Sequence, residues 1–481
     1  MEPTILNRDQ HTVSRKDISP AALKVLYRLH ERGFKAYLAG GCVRDLMLGR
    51  HPKDFDVVTD ATPRDVKRCF NHCRLIGRRF RLAHVIFGDE IIEVATFRAN
   101  SSDSDPSEDE ENADVEVPES DTNEMASETD NDSEGERKEE RGQDREEEES
   151  GNNRRRRPSL HDSHVHEETG VVLRDNVFGT PEEDAFRRDF TINALFYNIA
   201  DFSIIDYVGG LKDLEKKTVH AIGDPDQRYQ EDPVRMIRAL RFASTLGLDI
   251  EHNTYEAILR QREQLTHASH ARMYEEILKF FYSGGMNAAF DQWCETGLLD
   301  VMFPGFSNWV REEATASDIE WLRKALKQMD KWRNGKVKAS QELLYALYLA
   351  PYIRSIDAAI RTDNPDLPPR ESLVQAVQQV QGELAGRILI PRRISFSIFD
   401  ILKAQERFED RRSPQRIERF VQRPYFRDAL VFYKLDLLAK GESQPELLAA
   451  WTKDLAKAPP PHQNRRPTQR RGPRRQRRRR N

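Results

Sequence analysis

Apolar positions near the start of the chain alternate between strand-like and helix-like spacing. Within residues 18–99, the run 34–39 predicts a strand. Two glycines and a helical pattern over residues 42–48 follow it, and Gly49 is the expected C-cap of that helix. The run 56–59 predicts a second strand.

The same region contains a capped helix and a hairpin. The pattern over residues 62–70 predicts a helix with Thr62 as its N-cap and Pro63 at its first position. Residues 85–88 and 91–97 predict the two strands of a hairpin, because a turn signal at Asp89 separates them.

Helical periodicity dominates the second half of the chain. Residues 171–173 are strand-like and resume a folded pattern after a polar insertion. From about residue 244 to residue 458 the apolar spacing is helical, for example over residues 287–299, 321–332 and 343–349. We therefore expect an all-helical neck and body.

The amino-acid composition predicts that two segments of the chain are not folded. Residues 100–168 are acidic first and end with four arginines at 154–157. Because they have almost no aromatic or branched apolar side chains, they cannot bury enough surface to order themselves. Residues 465–481 contain ten arginines and no acid, so we expect a disordered tail that binds nucleic-acid phosphates, with a merely solubilising tail as the alternative.

The net charge of −5 hides a strong segregation of charge. Residues 101–150 carry 23 acidic and 4 basic residues, which leaves 72 basic and 58 acidic residues in the rest of the chain. A basic excess of that kind suits a polyanionic partner.

Cysteine content and hydropathy indicate a soluble cytoplasmic protein. The chain has four cysteines, Cys42, Cys69, Cys73 and Cys294. They are too few for a disulfide framework and fit a reducing compartment. Residues 1–16 lack the apolar core of a signal peptide, and no apolar run approaches the ~20 residues needed to cross a bilayer, so we expect no membrane association.

Two aspartates supply the first candidate chemistry. On a strand, side chains two positions apart point the same way, so Asp54 and Asp56 would present their carboxylates together while Phe55 points into the opposite layer. Adjacent carboxylates repel each other unless a cation neutralises them, and Mg²⁺ favours one or two carboxylates plus substrate phosphates. By itself such a pair is usually a solvated strand edge or turn.

A glycine pair upstream changes this interpretation. Gly40 and Gly41 stand just before a helix, where glycine lets backbone N–H groups approach a phosphate and the helix N-terminus favours its charge. Arg44 lies one turn into the helix beside Asp45 and could clamp a triphosphate oxygen. The simpler alternative is an ordinary strand–turn–helix with a surface arginine–aspartate pair.

A charged helix start is expected near residue 187. We expect Arg187, Arg188 and Asp189 to open an amphipathic helix with a buried face. That face includes Ile192, Leu195 and Phe196. Arg188 can face a phosphate, Asp189 can hold an arginine or assist a metal site, and Asn193 can reach a ribose hydroxyl. The alternative is a plain amphipathic helix with a solvated start.

A later motif suits the recognition of a base. Asp232 followed by Pro233 is a strong helix start, and Arg235 and Arg238 share a helix face. Arginine donates to base acceptors, whereas a carboxylate accepts from an exocyclic amino group. Adenine and cytosine carry such an amino group beside a ring acceptor. The alternative is that Asp232 serves only as a helix N-cap and that the two arginines are solvated.

Together these motifs resemble those of the class II nucleotidyltransferases, the group that contains bacterial poly(A) polymerases and tRNA CCA-adding enzymes. The four motifs occupy residues 38–45, 54–56, 187–194 and 231–235. Two further stretches, residues 73–85 and 174–180, are similar to the poly(A) polymerase branch. A looser similarity extends over residues 303–440, including Ile-Pro-Arg-Arg at 390–393, and to the arginine-rich end.

The resemblance implies an α+β fold. It implies a small mixed-sheet head of the polymerase-beta type, followed by an all-helical neck and body, with a disordered acidic insert and a disordered basic C-terminal tail. The expected domains are the nucleotidyltransferase head at 18–99 and 171–215, the insert at 100–170, a neck that binds nucleotide and RNA at 216–300, a body that binds RNA at 301–458, and the tail at 459–481.

The resemblance also implies roles for individual residues. Its catalytic acids are Asp54, Asp56 and Asp189, of which the first two bind a pair of Mg²⁺ ions. Glu93, on the predicted strand 91–97, could supply the third acid instead of Asp189. Nucleotide contacts are expected from Gly40, Gly41, Arg44, Arg188, Asn193, Glu231, Asp232, Arg235 and Arg238.

The implied activity is template-independent transfer of AMP from ATP to RNA 3′ ends, in mRNA processing and decay. The 3′-hydroxyl would attack the α-phosphorus in line, with one metal lowering the pKa of the hydroxyl and the other stabilising the pyrophosphate leaving oxygen. A tRNA CCA-adding enzyme shares the four motifs and is the main alternative, and an inactive RNA-binding scaffold is a lesser one. The expected partners are RNA 3′ ends and, by family analogy, RNA-decay proteins, and we expect a monomer.

Overall fold

The structure is a computed structural model that describes residues 2–77, 81–99, 178–332, 339–411 and 413–457. The described residues belong to one compact unit, which joins Met1–Asn100 to Phe178–Asn481. The predicted insert at 100–170, the predicted strand at 171–173 and the arginine-rich tail lie outside the described residues.

A mixed eight-stranded sheet forms the first part of this unit. Its strands are β1 (Thr4–Leu6), β2 (Ala36–Ala39), β3 (Val57–Thr59), β4 (Cys73–Ile76), β5 (Leu82–Phe87), β6 (Glu90–Thr96), β7 (Leu195–Asn198) and β8 (Ile204–Asp206). Their order across the sheet is β1-β8-β7-β2-β3-β6-β5-β4. Neighbouring strands are antiparallel except β3 and β6, which are parallel. The predicted mixed-sheet head is thereby confirmed.

Five helices accompany the sheet. They are α1 (Pro20–Glu31), α2 (Gly41–Met47), α3 (Pro63–Cys69), α4 (Pro181–Phe186) and α5 (Gly210–Glu215). The predicted helices after Gly40 and after Thr62 are observed as α2 and α3. A reciprocal capping box fixes the start of α3, because Thr62 accepts from the backbone N–H of Asp65 while the Asp65 carboxylate accepts from that of Thr62. The predicted hairpin is observed as β5 and β6, with Val85 opposite Ile92.

The prediction that an amphipathic helix begins at residue 187 is wrong. Helix α4 lies just upstream, because Thr180 and Glu183 form a capping box around Pro181 at the first helical position. After α4, residues Thr191–Asn193 form one 3₁₀ turn and the chain enters strand β7. Ile192, Leu195 and Phe196, expected on one helix face, are buried as predicted. Ile192 lies in the 3₁₀ turn, however, and the other two lie in a strand that is paired on both sides, to β2 and β8.

The remainder of the unit is helical apart from a two-stranded parallel ladder of β9 (Thr218–Val219) and β10 (Asp249–Ile250). The helices are α6 (Pro225–Glu231), α7 (Val234–Leu246), α8 (His252–Gln261), α9 (His270–Ser283), α10 (Met286–Thr296), α11 (Leu298–Met302), α12 (Pro304–Glu312), α13 (Ala316–Trp332), α14 (Gln341–Asp363), α15 (Pro369–Ala385), α16 (Arg392–Lys403), α17 (Pro414–Val421), α18 (Phe426–Lys440) and α19 (Pro445–Lys457). The predicted helical segments fall within α10–α11, α13 and α14, so the all-helical body is confirmed.

One hydrophobic core runs from the sheet into the helical body, with Leu38 of β2, Ile237 of α7 and Leu347 of α14 all fully buried in it. Within the described ranges, α14 is the one helix long and apolar enough to cross a bilayer by length and composition. Of its most apolar stretch, 61% is buried inside the protein, where α14 packs against α13, α15, α16 and α18. Packing in the helical body accounts for that composition.

Candidate active site

The turn between β2 and α2 is built by Gly40 and Gly41. Gly40 has a φ of +77°, a conformation that L-residues with a side chain rarely adopt, and its N–H donates to the Leu195 carbonyl at 3.1 Å. A Cβ at Gly40 would lie 2.9 Å from Nη1 of Arg188. Glycine is therefore required both by the backbone and by the close approach of this arginine.

Arg44 is buried one turn into α2 and held on three sides. Its Nε and Nη2 donate to Oδ1 of Asp45 at 2.9 and 2.7 Å, and its Nη1 donates to Oδ1 of Asn193 at 2.6 Å. The guanidinium also lies over the ring of Phe242, 5.1 Å from its centre. The Arg44–Asp45 pair is therefore an anchored element beside the glycine turn, not a solvated surface pair.

Arg188 is fixed by an acid that sequence reasoning missed, Asp184 of α4. The Asp184 carboxylate is fully buried and accepts from Nε and Nη2 of Arg188 at 3.1 and 2.9 Å and from Nε and Nη2 of Arg187 at 2.9 and 2.5 Å. Nη1 of Arg188 donates to the Asn193 carbonyl at 3.1 Å. The spacing of Asp184, three and four residues before the two arginines on a capped helix, was the available signal.

Asp189 is saturated by protein donors. Its Oδ1 accepts from the Phe190 N–H at 2.8 Å and from Nδ2 of Asn193 at 3.1 Å, and its Oδ2 accepts from Nε and Nη2 of Arg238 at 2.8 and 2.5 Å. Burial would raise the pKa of Asp189, but Arg238 and these hydrogen bonds hold the pKa below its usual value. The Asn193 amide oxygen accepts from Arg44 and its nitrogen donates to Asp189, so Asn193 links these two residues, and its contact with a ribose hydroxyl stays a prediction.

Asp54 and Asp56 lie in the extended segment that leads into β3, and not on the strand as predicted. The Asp56 carbonyl accepts from the Ala39 N–H at 3.1 Å, so the segment prolongs the pairing of β2 with β3. Phe55 is only 8% exposed, whereas both aspartates are exposed. The predicted alternation is confirmed, although the two acids precede the strand.

Glu93 on β6 is the acidic neighbour of this pair. Strands β3 and β6 are parallel, with Val57 opposite Val94. Asp56 and Glu93 are the residues immediately before this pair, so they are neighbours across the two chain segments. The pKa of Asp56 is raised to about 6, first by desolvation and then by the charges of Glu93 and Asp54, with the Arg188 charge opposing them. In the described part of the chain, no three acidic, histidine or cysteine side chains converge as a metal-binding group. A cation here would therefore need further oxygen ligands from a substrate.

The motif at residues 231–238 forms a corner between α6, α7 and α9. Oε2 of Glu231 accepts from Nη1 of Arg235 at 3.0 Å and from Nη1 of Arg228 at 2.9 Å. Oδ2 of Asp232 accepts from Nη2 of Arg272 at 2.7 Å. The arrangement leaves a carboxylate and guanidinium groups side by side, which is the donor and acceptor set that an amino-bearing base edge requires.

Arg238 points away from that corner and into a buried cluster around Glu276 of α9. Glu276 accepts from Nη1 of Arg238 at 3.3 Å, from Nε of Arg241 at 3.2 Å and from Nζ of Lys279 at 2.8 Å. The ring of Phe242 lies under the guanidinium groups of Arg44, Arg238 and Arg241. Its arginine partners are on α7, so the sequence of α9 alone did not mark Glu276 as their acceptor.

The structure thus brings most of the predicted residues into one assembly. The residues joined by hydrogen bonds or direct proximity are Gly40, Gly41, Arg44, Arg188, Asp189, Asn193 and Arg238. Asp56 borders this assembly through the charge of Arg188, and Asp54 and Glu93 are close enough to Asp56 for their charges to raise its pKa. Glu231, Asp232 and Arg235 form the separate corner just described.

Poly(A) polymerases resemble this chain over most of its length. Family models match at residues 36–220 (poly A polymerase head domain), 247–310 (probable RNA and SrmB-binding site of polymerase A) and 365–481 (polymerase A arginine-rich C-terminus). Poly(A) polymerase I of Salmonella typhi is 37% identical over 96% of this chain and 87% of its own length, and that of Escherichia coli O6:H1 is 36% identical over the same shares.

More distant similarity extends to CCA-adding enzymes. That of Lactobacillus johnsonii is 32% identical over 60% of this chain and 56% of its own length. The crystal structure of the Bacillus stearothermophilus CCA-adding enzyme with CTP superposes with a TM-score of 0.55 at 21% identity, covering 92% of this chain and 83% of that one. At this identity, the superposition establishes a shared fold.

Proposed function

Because the chain belongs to the poly(A) polymerase family, we propose that it is a template-independent polynucleotide adenylyltransferase, which adds AMP from ATP to RNA 3′ ends in mRNA processing and decay. The observation that carries this proposal is the placement of two exposed aspartates, Asp54 and Asp56, beside the anchored guanidinium of Arg188. Carboxylates and arginines at one site match a reaction between a metal-bound triphosphate and a hydroxyl group.

Arg44 and Arg188 bind the triphosphate. Both guanidinium groups are fixed before substrate arrives, Arg44 by Asp45 and Asn193, and Arg188 by Asp184. Preorganised donors lose little conformational freedom on binding and need not reorganise as charge develops on the leaving pyrophosphate. The Gly40 turn lets the Arg188 guanidinium lie directly against the backbone.

Asp54 and Asp56 hold the metal, with Glu93 as the third acid in place of Asp189. The residues present fit Mg²⁺, which favours one or two carboxylates completed by substrate phosphates. When bound, two Mg²⁺ ions would lower the pKa of the RNA 3′-hydroxyl and neutralise charge on the leaving oxygen. The role of Asp189 is to position Arg238 and Asn193.

The transfer is a single displacement. The RNA 3′-oxygen forms a bond to the α-phosphorus as the bond from that phosphorus to the bridging oxygen of the β-phosphate breaks, so pyrophosphate leaves and the RNA gains one AMP. Asp54 and Asp56 orient the attacking 3′-hydroxyl group. Arg44 and Arg188 orient the triphosphate. In-line geometry at one phosphorus is the main requirement of such a displacement.

Asp232 and Arg235 select the base. The Asp232 carboxylate accepts from the adenine amino group, and Arg235 donates to the adjacent ring nitrogen. Arg272 holds Asp232 at 2.7 Å, and Glu231 holds Arg235 at 3.0 Å, so both groups are oriented. Cytosine presents a similar edge, and the product therefore has to be determined by experiment.

The test is primer extension with purified protein, Mg²⁺, an unstructured single-stranded RNA and each nucleoside triphosphate separately. A long ladder with ATP alone supports the proposal. One to three additions that require CTP and a tRNA-like 3′ end would show a CCA-adding enzyme instead. Salt-sensitive RNA binding with no extension by any nucleotide would make the chain an RNA-binding scaffold and refute the roles given to the two aspartates. Asp54→Asn provides the control, because it should remove extension while leaving the thermal midpoint unchanged.

A further inference from the structure

The second half of the helical body contains basic side chains that lack acidic partners. Residues 387–427 contain eleven basic and five acidic residues. Around the candidate active site nearly every arginine is ion-paired, yet of the described basic residues in this segment only Arg411 is in an ion pair with a described acid, Asp454. Unpaired guanidinium groups at one surface are available to an external polyanion.

Helix α16 collects several of these groups around an exposed aromatic ring. The residues that share about 120° of its circumference, hereafter the α16 face, are Arg392, Arg393, Phe396, Phe399, Asp400 and Lys403. Phe396 is 69% exposed, more than any other large hydrophobic side chain in the described ranges. The opposite side of the helix, with Ile394, Ile398 and Ile401, is buried.

The N-terminal end of the α16 face lies next to the base-selecting corner. The N–H of Leu389, three residues before α16, donates to the His270 carbonyl at 3.2 Å. His270 begins α9, and two residues later Arg272 holds Asp232. RNA whose 3′ end lies beside a nucleotide held at Asp232 would therefore meet the first turn of α9 and then the α16 face.

We propose that the α16 face binds the single-stranded RNA upstream of the growing 3′ end, with one base stacked on Phe396 and phosphates on Arg392, Arg393 and Lys403. This deepens the proposed function and rests on it. Nonspecific recognition of single strands combines a basic track with exposed aromatic rings, and the α16 face has both. It lies outside residues 247–310, where the RNA-binding family model matches.

The positive charge of the α16 face favours RNA over a protein as its binding partner. An apolar protein partner would need contiguous apolar surface, whereas Phe396 is flanked by two exposed arginines at its N-terminal side. The one acid on the face, Asp400, makes no ion pair among the described residues, and desolvation raises its pKa against the opposing charges of Lys403, Arg423 and Arg370. The positive potential around it favours a phosphate backbone.

The test measures equilibrium binding of an unstructured RNA of about 20 nucleotides, longer than the ~4–16 nucleotides that one such site covers. The full chain carries Asp54→Asn so that no extension occurs, and nucleotide is omitted. Phe396→Leu keeps an apolar side chain but removes the flat ring, and we expect affinity to fall about 5- to 100-fold. Phe396→Trp should retain affinity. Leu438→Ala on α18, where the leucine is 65% exposed, is the matched control and should bind as the parent does.

The salt dependence provides a second readout. Each phosphate contact contributes about 0.7 to the slope of log affinity against log salt for a single strand. Arg393→Gln should lower that slope by about 0.7, whereas Phe396→Leu should leave the slope unchanged although affinity falls. Lys327→Gln, at an exposed position on α13, is the charge control and should leave the slope unchanged.

Two results would overturn the proposal. Parental affinity in Phe396→Leu together with a parental slope in Arg393→Gln would show that RNA does not touch the α16 face. Equal losses in Phe396→Leu and Phe396→Trp would exclude stacking. Because binding is measured without turnover, neither result depends on whether the parent chain adds AMP, and a failure of primer extension would leave the binding test decisive.

Discussion

Replacing Asp189 with asparagine separates a positioning role from a metal-binding role. The carboxylate receives four hydrogen bonds, one from Phe190, one from Asn193 and two from Arg238. Asparagine keeps the size of the side chain but removes the charge that compensates Arg238. Breaking a buried ion pair costs about 3–5 kcal/mol. Because Glu276 still accepts from Arg238, we expect the lower end of that range.

The expected loss is measurable by thermal unfolding in the presence of a chelator. About 3 kcal/mol corresponds to a fall of roughly 4 °C in the thermal midpoint of a unit of about 370 residues, because the entropy of unfolding is about 2.1 cal/mol/K per residue. Turnover should fall about 100-fold, because Asn193 loses an acceptor and Arg44 loses its fixed position. The Mg²⁺ concentration for half-maximal rate should not change, since Asp189 holds no metal under this assignment.

Glu93→Gln is the matched comparison. Glu93 is exposed and repels Asp56, so its replacement should leave the thermal midpoint unchanged or slightly higher. It should lower kcat by a factor of about 100 or more and raise the Mg²⁺ requirement, because a third acid is lost from the metal site. The opposite pattern would refute the reasoning, with Asp189→Asn keeping its thermal midpoint but needing more Mg²⁺ and Glu93→Gln behaving as the parent does.

Three further substitutions probe the same site. Arg188→Lys removes the two-pronged contact with Asp184, and a steady-state assay should show kcat/KM for ATP reduced by about 10- to 100-fold. Gly40→Ala places a Cβ 2.9 Å from the Arg188 guanidinium at a positive φ, so calorimetry should show a loss of about 1–2 kcal/mol together with a lower kcat/KM. Burial would raise the pKa of Glu276, but Arg238 and Arg241 hold the pKa below its ordinary value, so its ionised form stabilises the fold above the ordinary glutamate pKa and that stability is lost as pH falls. Glu276→Gln should therefore lower the thermal midpoint at pH 7, and a pH series should show the difference shrinking below about pH 4.

Local rules account for the elements whose signals are contained in a few consecutive residues. The β2–α2 connection was predictable because a short apolar strand is followed by Gly40, whose φ of +77° only glycine adopts easily. Helix α3 was predictable because Thr62 and Pro63 define its first turn.

The segment after α4 was not predictable in the same way. Phe190, Ile192, Ala194, Leu195, Phe196 and Tyr197 are all buried. Burial on both faces erases the difference between a period of 2 and a period of 3.6, so the pattern did not identify β7. Pairing with β2, which comes from a distant part of the chain, and with β8, the next strand along it, decides the conformation.

The residues of the candidate site also differ in whether a local sequence signal marks them. Asp54, Asp56, Arg44 and Arg188 could be identified from residue type and spacing, since charge and a glycine turn are local properties. The partner Glu276 could not be identified, because it meets Arg238 only when α9 packs against α7. The sequence therefore indicates the groups proposed to contact the substrate more readily than it indicates the residues that hold those groups in position.

The saturation of Asp189 is the physical reason for proposing Glu93 as the third acid beside the aspartate pair. A carboxylate offers about four acceptor positions, and protein donors already occupy four on Asp189. A metal ion at Asp189 would have to displace Arg238 and leave a buried guanidinium with Glu276 alone. Held in place, Asp189 instead links Asn193 to Arg238, so that a continuous run of hydrogen bonds extends from Arg44 to α9. Because bonds in such a run strengthen one another, the phosphate-binding arginine and the helix pair that carries the base-selecting corner form one preorganised frame.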